Sequence, residues 1–186
     1  MTVAGPDGLP RCTWASSSPD YVAYHDNEWG KPIRDDQGLY ERVSLESFQS
    51  GLSWITILRK RPAFRTAFAN FNPQVVAEYG PADFDRLMAD VGIVRNRAKI
   101  NAAITNAKAL LALDPGEFTE LLWSFAPPER PAPLTSEDIP AITPESIAMS
   151  KTLKKNGFVF VGPTTCYALM QATGMVNDHL ATCISR

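Results

Sequence analysis

Apolar positions recur at helical spacing along almost the whole chain, and the strict alternation of a half-buried strand is nearly absent. Leu39, Val43, Glu46 and Ser50 fall at i, i+4, i+7 and i+11, on one face of a helix expected over 36–50. Gly51 ends that helix and Ser53 caps the next. Trp54, Leu58 and Phe68 carry the apolar side of this second helix, over 53–69. Pro62 lies inside that span and is expected to kink it or to open a separate helix. Asn72–Pro73 opens a third helix and Pro81 a fourth; a longer one follows over about 96–113 and another over 116–125. Residues 126–142, APPERPAPLTSEDIPAI, form a Pro-rich connector that must wrap the surface. Thr143–Pro144–Glu145 starts a helix that Gly157 stops, and a last helix is expected over 163–173. FVFV at 158–161 has strand character but no partner strand, and the first thirty residues hold too many turn formers for more than a short helix near Tyr21–Tyr24. The expected class is all-α, in one domain over 1–186 whose two helical lobes share a cleft.

Composition alters this picture little. A hydrophobic content of 45% is ample for a core. There is no run of eighteen apolar residues and no basic-then-apolar leader, so a cytoplasmic monomer with no membrane partner is expected. The net charge of −2 argues weakly against a nucleic-acid partner, but its distribution matters more than its sum. Cations gather at 59–61 (RKR), 95–99 (RNRAK) and 151–155, while 1–58 and 109–150 are acidic. Solvated helix faces are the usual explanation of such blocks; phosphate contact is the other.

Three constellations carry chemistry. Four of the chain's five histidines and cysteines pair up near its ends, Cys12 with His25 and His179 with Cys183. If the last turn is helical, the i, i+4 pair presents both ligands on one face. Two such pairs complete a tetrahedral Cys₂His₂ zinc site that would clip the termini together. An odd cysteine count rejects a disulfide framework, and the competing reading is stray histidines with ordinary buried cysteines. The second constellation is LMADVGIVRNRAKI at 87–100, a helix, a tight turn at Gly92–Ile93–Val94, and a helix opening with Arg95, Asn96, Arg97 and Lys99. A helix–hairpin–helix of this kind aims backbone N–H groups at a phosphate. Val94 stands where a second glycine is usual, and a plain helical turn is the commoner explanation. Third, Trp14, Tyr21, Tyr24 and Trp29 crowd a polar segment, which fits the wall of a pocket for a flat, cationic ligand as well as a core. Glu46 continues an apolar helix face and so reads either as a cleft acid or, more commonly for glutamate, as a surface one.

The runs YVAYHDNEWGKP at 21–32, LESFQSGLSWITILRKR at 45–61, VGIVRNRAKI, LLWSF at 121–125 and GFVFVGPTTCYALMQATGMVNDH at 157–179 resemble the bacterial DNA-3-methyladenine glycosylase I family. The resemblance runs from Cys12 to Cys183. It implies a helix–hairpin–helix DNA glycosylase fold, the hairpin over about 82–112, and a structural Zn²⁺ held by Cys12, His25, His179 and Cys183. It implies alkylated double-stranded DNA as partner and no nucleotide cofactor. The family's base-reading acid matches Glu46, and its pocket aromatics match Trp14, Tyr21, Tyr24 and Trp54. The chain departs from the pattern at Ala168, where some members carry a small polar residue. Asn96 stands where bifunctional relatives in the wider superfamily carry a Schiff-base lysine, so no lyase step is expected. Asp114, beside Pro115–Gly116, reads as a loop acid.

The chemistry of such a reaction distributes further roles. Methylation at N3 of adenine leaves the base cationic and an able leaving group, so the protein must extrude it, hold it and admit water. Gly51 allows the backbone to approach the base stack, and Leu52 is suited to fill the gap left behind. Arg95, Arg97 and Lys99, with Gly92 and Val94 of the turn, are expected at the DNA backbone. Two other classes compete. A non-catalytic DNA-binding module would have no use for Glu46 among aromatics. A zinc hydrolase would need an open metal position, with Asp178 or Glu28 as base.

Overall fold

A computed structural model describes residues 1–186, and in it helix α2, Asp36–Gln49, runs through the centre of the molecule. It is buried nearly all round, with Leu39, Tyr40, Val43, Leu45 and Phe48 in the core, which is why its sequence shows so little amphipathicity. The Asp35 side chain accepts the Gly38 N–H at 2.7 Å as its N-cap, and the Tyr40 hydroxyl reaches the Ala103 carbonyl at 2.8 Å. Around α2 stand α1 (Pro19–Asn27), α3 (Trp54–Ala67), α4 (Pro73–Ala77), α5 (Pro81–Ala89), α6 (Arg97–Leu111), α7 (Glu117–Trp123), α8 (Pro144–Lys155) and α9 (Pro163–Ala172). α2 packs against α3, α6, α7 and α9.

The helices follow the expected boundaries closely because their ends carry caps and prolines: Asn72, Asn96 and Thr143 each accept a backbone N–H of the first turn. α3 continues through Pro62, whose ring lies on the exposed side. Residues 158–161 form no strand. Instead Asn106 of α6, fully buried, exchanges two hydrogen bonds with the Val159 backbone, and Phe160 takes a left-handed φ of 57°. The N-terminus is more ordered than its composition suggests. A two-residue antiparallel ladder pairs Val3–Ala4 with Pro10–Arg11, and a 3₁₀ turn at Thr13–Ser17 leads into α1. Arg11 makes this possible: its guanidinium is held by Asp7 and Asp26 together. Apart from this ladder the fold is all-helical, and none of its helices is long and apolar enough to cross a membrane.

Candidate functional site

The C-terminal end of α2, the start of α3, α1 and α9 leave between them a cavity of about 390 Å³. Its wall is aromatic, formed by Trp14, Tyr21, Tyr24, Trp29 and Trp54, with Glu46, Gln49, Ser53, Ala168 and Gln171 adding polar or small groups and Ile139 of the Pro-rich connector closing one side. The four aromatics expected to bind a base all line it. Trp14 meets Tyr21 and Trp29 edge to face at 5.5 and 5.1 Å, and Tyr24 lies tilted against Trp54 at 5.4 Å. The Tyr21 hydroxyl accepts the Ile55 N–H at 2.9 Å, satisfying one of the free amides at the start of α3 and fixing that helix to α1.

Glu46 is the acid of this cavity. It is 5% exposed, and its carboxylate makes no hydrogen bond or ion pair within the chain. The surface reading of Glu46 is therefore excluded. Burial pushes its carboxyl up to about 7, against the opposing field of Arg42 one turn earlier on α2. An acid with unused acceptors in a narrow aromatic cavity is arranged to meet a ligand that donates.

Gly51 and Leu52 form the corner between α2 and α3 at the mouth of this region. Gly51 has a φ of 79°, which a side chain would resist, and Leu52 is 41% exposed at the tip. The hairpin lies between α5 and α6. A Cβ on Gly92 would meet Ala63 and the Asp90 carboxylate at 2.9 Å, so the tight packing of the turn on α3 requires glycine there. Lys60 donates to the Val91 and Gly92 carbonyls at 2.9 and 3.2 Å, and within the turn the Gly92 N–H donates to the Asp90 carboxylate at 2.7 Å. Val94 packs against the core, which accounts for an apolar residue where glycine is usual. Arg95 and Arg97 are exposed. Lys99 is not. It is 7% exposed, and its ammonium donates to the Phe48 and Ser50 carbonyls at 2.9 and 2.5 Å, so the expectation that it faces phosphate is corrected. It caps the C-terminal end of α2 instead, where a cation is favoured.

Cys12, His25, His179 and Cys183 converge behind the cavity, all buried, with their ligand atoms within 4.8 Å of one another. Cys183 Sγ lies 3.3 Å from His25 Nε2 and 3.6 Å from His179 Nδ1, and Cys12 Sγ lies 3.9 Å from His179 Nδ1. Tetrahedral coordination by two thiolates and two imidazoles needs edges of about 3.3–3.8 Å. Each histidine also has an outer partner on its other nitrogen, the Asp26 carboxylate at 2.7 Å from His25 Nδ1 and the Trp29 carbonyl at 3.3 Å from His179 Nε2. That arrangement turns one lone pair of each ring inward, and the donor set fits a metal ion. The last pair does not lie on a helix; Cys183 returns to His179 through a turn closed by its N–H on the Leu180 carbonyl. The ring of Trp29 is 4.6 Å from that of His179, so the cluster backs directly onto the cavity wall.

Residues 14–186 match the Methyladenine glycosylase family. The chain is 49% identical to DNA-3-methyladenine glycosylase 1 of Escherichia coli K12, covering 94% of this chain and 96% of that protein. The chain belongs to the methyladenine glycosylase family. The fold agrees. A crystal structure of 3-methyladenine DNA glycosylase I superposes with a TM-score of 0.90 at 47% identity, over 94% of this chain and 98% of that one. The Staphylococcus aureus 3-methyladenine DNA glycosylase I, solved to show the basis of 3-methyladenine recognition, superposes at 0.88 with 35% identity, over 94% and 95%.

Within this glycosylase the acids of the competing hydrolase reading are committed elsewhere. Asp178 is buried against Arg130, the Tyr167 hydroxyl at 2.7 Å and the Gln171 amide at 2.9 Å; Glu28 pairs with Arg61 through two bonds. Four protein donors also leave the cluster no open position for water. Asp114 is an exposed turn residue away from the cavity, and Asn96 caps α6 by accepting the Lys99 N–H at 3.1 Å. Sequence reasoning missed Gln49, Gln171, Ile139 and Arg42. Arg42 and Gln49 left a signal, lying one turn either side of Glu46 at i−4 and i+3.

Proposed function

We propose that this chain flips 3-methyladenine out of alkylated double-stranded DNA and hydrolyses its glycosidic bond, as the first step of base excision repair. The observation that carries the proposal is Glu46, buried and without a partner in the chain, in an aromatic cavity of a size suited to one base. The methylated base is cationic and leaves as a neutral molecule, so it needs little protonation. Glu46 accepts hydrogen bonds from the amino edge and balances the charge; Tyr24 and Trp54 meet the faces, each contact worth about 0.5–2 kcal/mol in a desolvated site. Leu52 enters the stack as the base leaves it, offsetting part of the few kcal/mol that extrusion costs. The enzyme works as a monomer and without a nucleotide cofactor. It is monofunctional on this reading, because Lys60 and Lys99 are both bound to backbone carbonyls and Asn96 is a helix cap. The Cys₂His₂ cluster takes one structural zinc, whose charge stabilises the two thiolates; unaided, burial pushes the Cys12 thiol up to about 12.

The test is incubation of N-methylated duplex with the protein and chromatography of released bases. Free 3-methyladenine should appear while the strand stays intact until treated with alkali. No base release, or direct strand scission, would overturn the reading.

The DNA-facing assignments have their own measurement. Arg97→Ala should weaken binding about equally for all sequences and lower the slope of log affinity against log salt by about 1. Lys99→Ala should instead lower stability and leave the salt slope alone. A lower slope in the Lys99 variant would return that lysine to the DNA.

A further inference from the structure

Arg42 is a buried cation that the reaction just described does not use. It is 6% exposed and no carboxylate lies within ion-pair distance of it. Its one hydrogen bond within the chain runs from Nη1 to the Tyr24 hydroxyl oxygen at 2.9 Å. Its guanidinium carbon stands 5.5 Å from the centre of the Tyr24 ring and 5.4 Å from that of Trp54. It precedes Glu46 by four residues on α2, so the two side chains share a face. A buried guanidinium without a bonded carboxylate is costly, and an apolar residue would fill this part of α2 more stably. The cost is compensated only if the charge acts on something nearby.

We propose that Arg42 is a positioning residue of the base pocket, which orients the Tyr24 hydroxyl and keeps the Glu46 carboxylate charged against its burial. The proposal rests on the reading of Glu46 as the group that holds the methylated base. Two consequences follow from the geometry. Because the Tyr24 oxygen accepts from Arg42, its own proton points away from the guanidinium and is left to donate within the pocket. And Arg42 supplies the positive field that Glu46 feels. The groups around that carboxyl are Tyr21 and Tyr24 from α1, with Glu28 bonded to Arg61 of α3; Gln49 on α2 and Gln171 on α9 are uncharged. No cation lines the cavity itself, and Arg42 stands against its wall beside the Tyr24 and Trp54 rings. A protonated Glu46 would offer a donor to the amino edge and could not balance the cationic base. Arg42 therefore sets the lowest pH at which the pocket works.

The experiment is single-turnover excision of 3-methyladenine between pH 5.5 and 9 by the full-length protein, its Arg42→Met and Arg42→Lys variants, and Glu46→Gln. Melting temperature and affinity for duplex carrying an abasic-site analogue are followed in parallel. The parent should lose activity as pH falls through about 7, where the carboxyl titrates. Arg42→Met should move this limb upward by about one pH unit or more, as removal of a close opposite charge does, so that excision is lost at pH 7 and largely recovered at pH 9. Arg42→Lys should restore the limb. If Arg42→Met lowers excision uniformly at every pH, or leaves the limb where it was, Arg42 is a packing residue and the proposal fails; a limb still displaced in Arg42→Lys also contradicts a role carried by charge. Glu46→Gln separates this from the reading beneath it. Loss of the limb in Glu46→Gln with none of the shift in Arg42→Met defeats only the Arg42 proposal, whereas parental rate and limb in Glu46→Gln would defeat the assignment of Glu46 itself.

Discussion

Glu46→Gln should excise 3-methyladenine about ten- to hundredfold more slowly than the parent and yet be the more stable protein at pH 8. The substitution keeps the shape of the side chain but removes the charge and puts a donor where an acceptor is needed. Loss of one charge-assisted hydrogen bond costs about 1.5–3 kcal/mol, and each ~1.4 kcal/mol is tenfold in rate. The stability effect has the opposite sign because burial raises the folded carboxyl from an ordinary 4.5 to about 7. A raised value means that the fold favours the neutral acid. The corresponding stability is complete below about 4.5 and is lost as pH rises through about 7, to a total of about 3 kcal/mol. Glutamine does not titrate, so the variant's advantage should open between those two values and level off above them. Thermal melts at pH 4.5 and 8 check the stability, and single-turnover excision beside abasic-DNA affinity checks the role. Abasic-DNA affinity should barely change, since no base is present to contact. Parallel losses in excision and in that affinity would make Glu46 a structural group, and a variant no more stable than the parent at pH 8 would mean that the carboxyl is not strained by burial.

Breaking the Cys₂His₂ cluster should have the larger effect on the fold. His25→Ala or Cys183→Ala is expected to lower stability by roughly 3–5 kcal/mol, the scale for losing a cross-link that closes nearly the whole chain. For a protein of this size that is about 10 °C in melting temperature. The folded fraction should retain base excision, because none of the four ligands lines the cavity. Elemental analysis of the parent should find one zinc per chain, surviving dialysis and lost only under chelation in denaturant. A fully folded preparation with well under one equivalent of zinc would defeat the assignment, as would an Ala variant that melts with the parent.

Much of this molecule could be read from its sequence because its helices are bounded by local signals. Prolines at the first turn, Asn72, Asn96 and Thr143 as caps, and Gly51 at the corner each act within a few residues, and the structure follows them to within a residue or two. What depends on distant partners was not legible. Residues 158–161 have the composition of a strand, but Asn106, some fifty residues earlier, claims the backbone groups that a neighbouring strand would need. Ala69, Asn70 and Phe71 all take positive φ after α3, though none is glycine. Burial of Phe68 and Phe71, stacked at 5.5 Å, holds that turn and leaves no local mark. Spacing placed Glu46 on an apolar face but could not say whether the face ended before it. The position of Glu46 is decided by α1 and α9 closing over the end of α2, which is tertiary information. The same limit explains Lys99. In a run of cations it reads as one more phosphate contact, and only the carbonyls of Phe48 and Ser50 show otherwise.

That lysine has a mechanical meaning. Its ammonium joins the first turn of α6, which follows the hairpin, to the last turn of α2, which carries Gly51 and Leu52. Were the hairpin seated on a duplex as proposed, the same contact would also set how far Leu52 stands from it. The span between the two is bridged by this side chain as well as by the backbone. If the hairpin and Leu52 contact DNA as proposed, a duplex that bends or opens to match this span would be favoured over a stiffer one. Discrimination can then begin with the mechanical compliance of the helix at a lesion, before any base has entered the pocket.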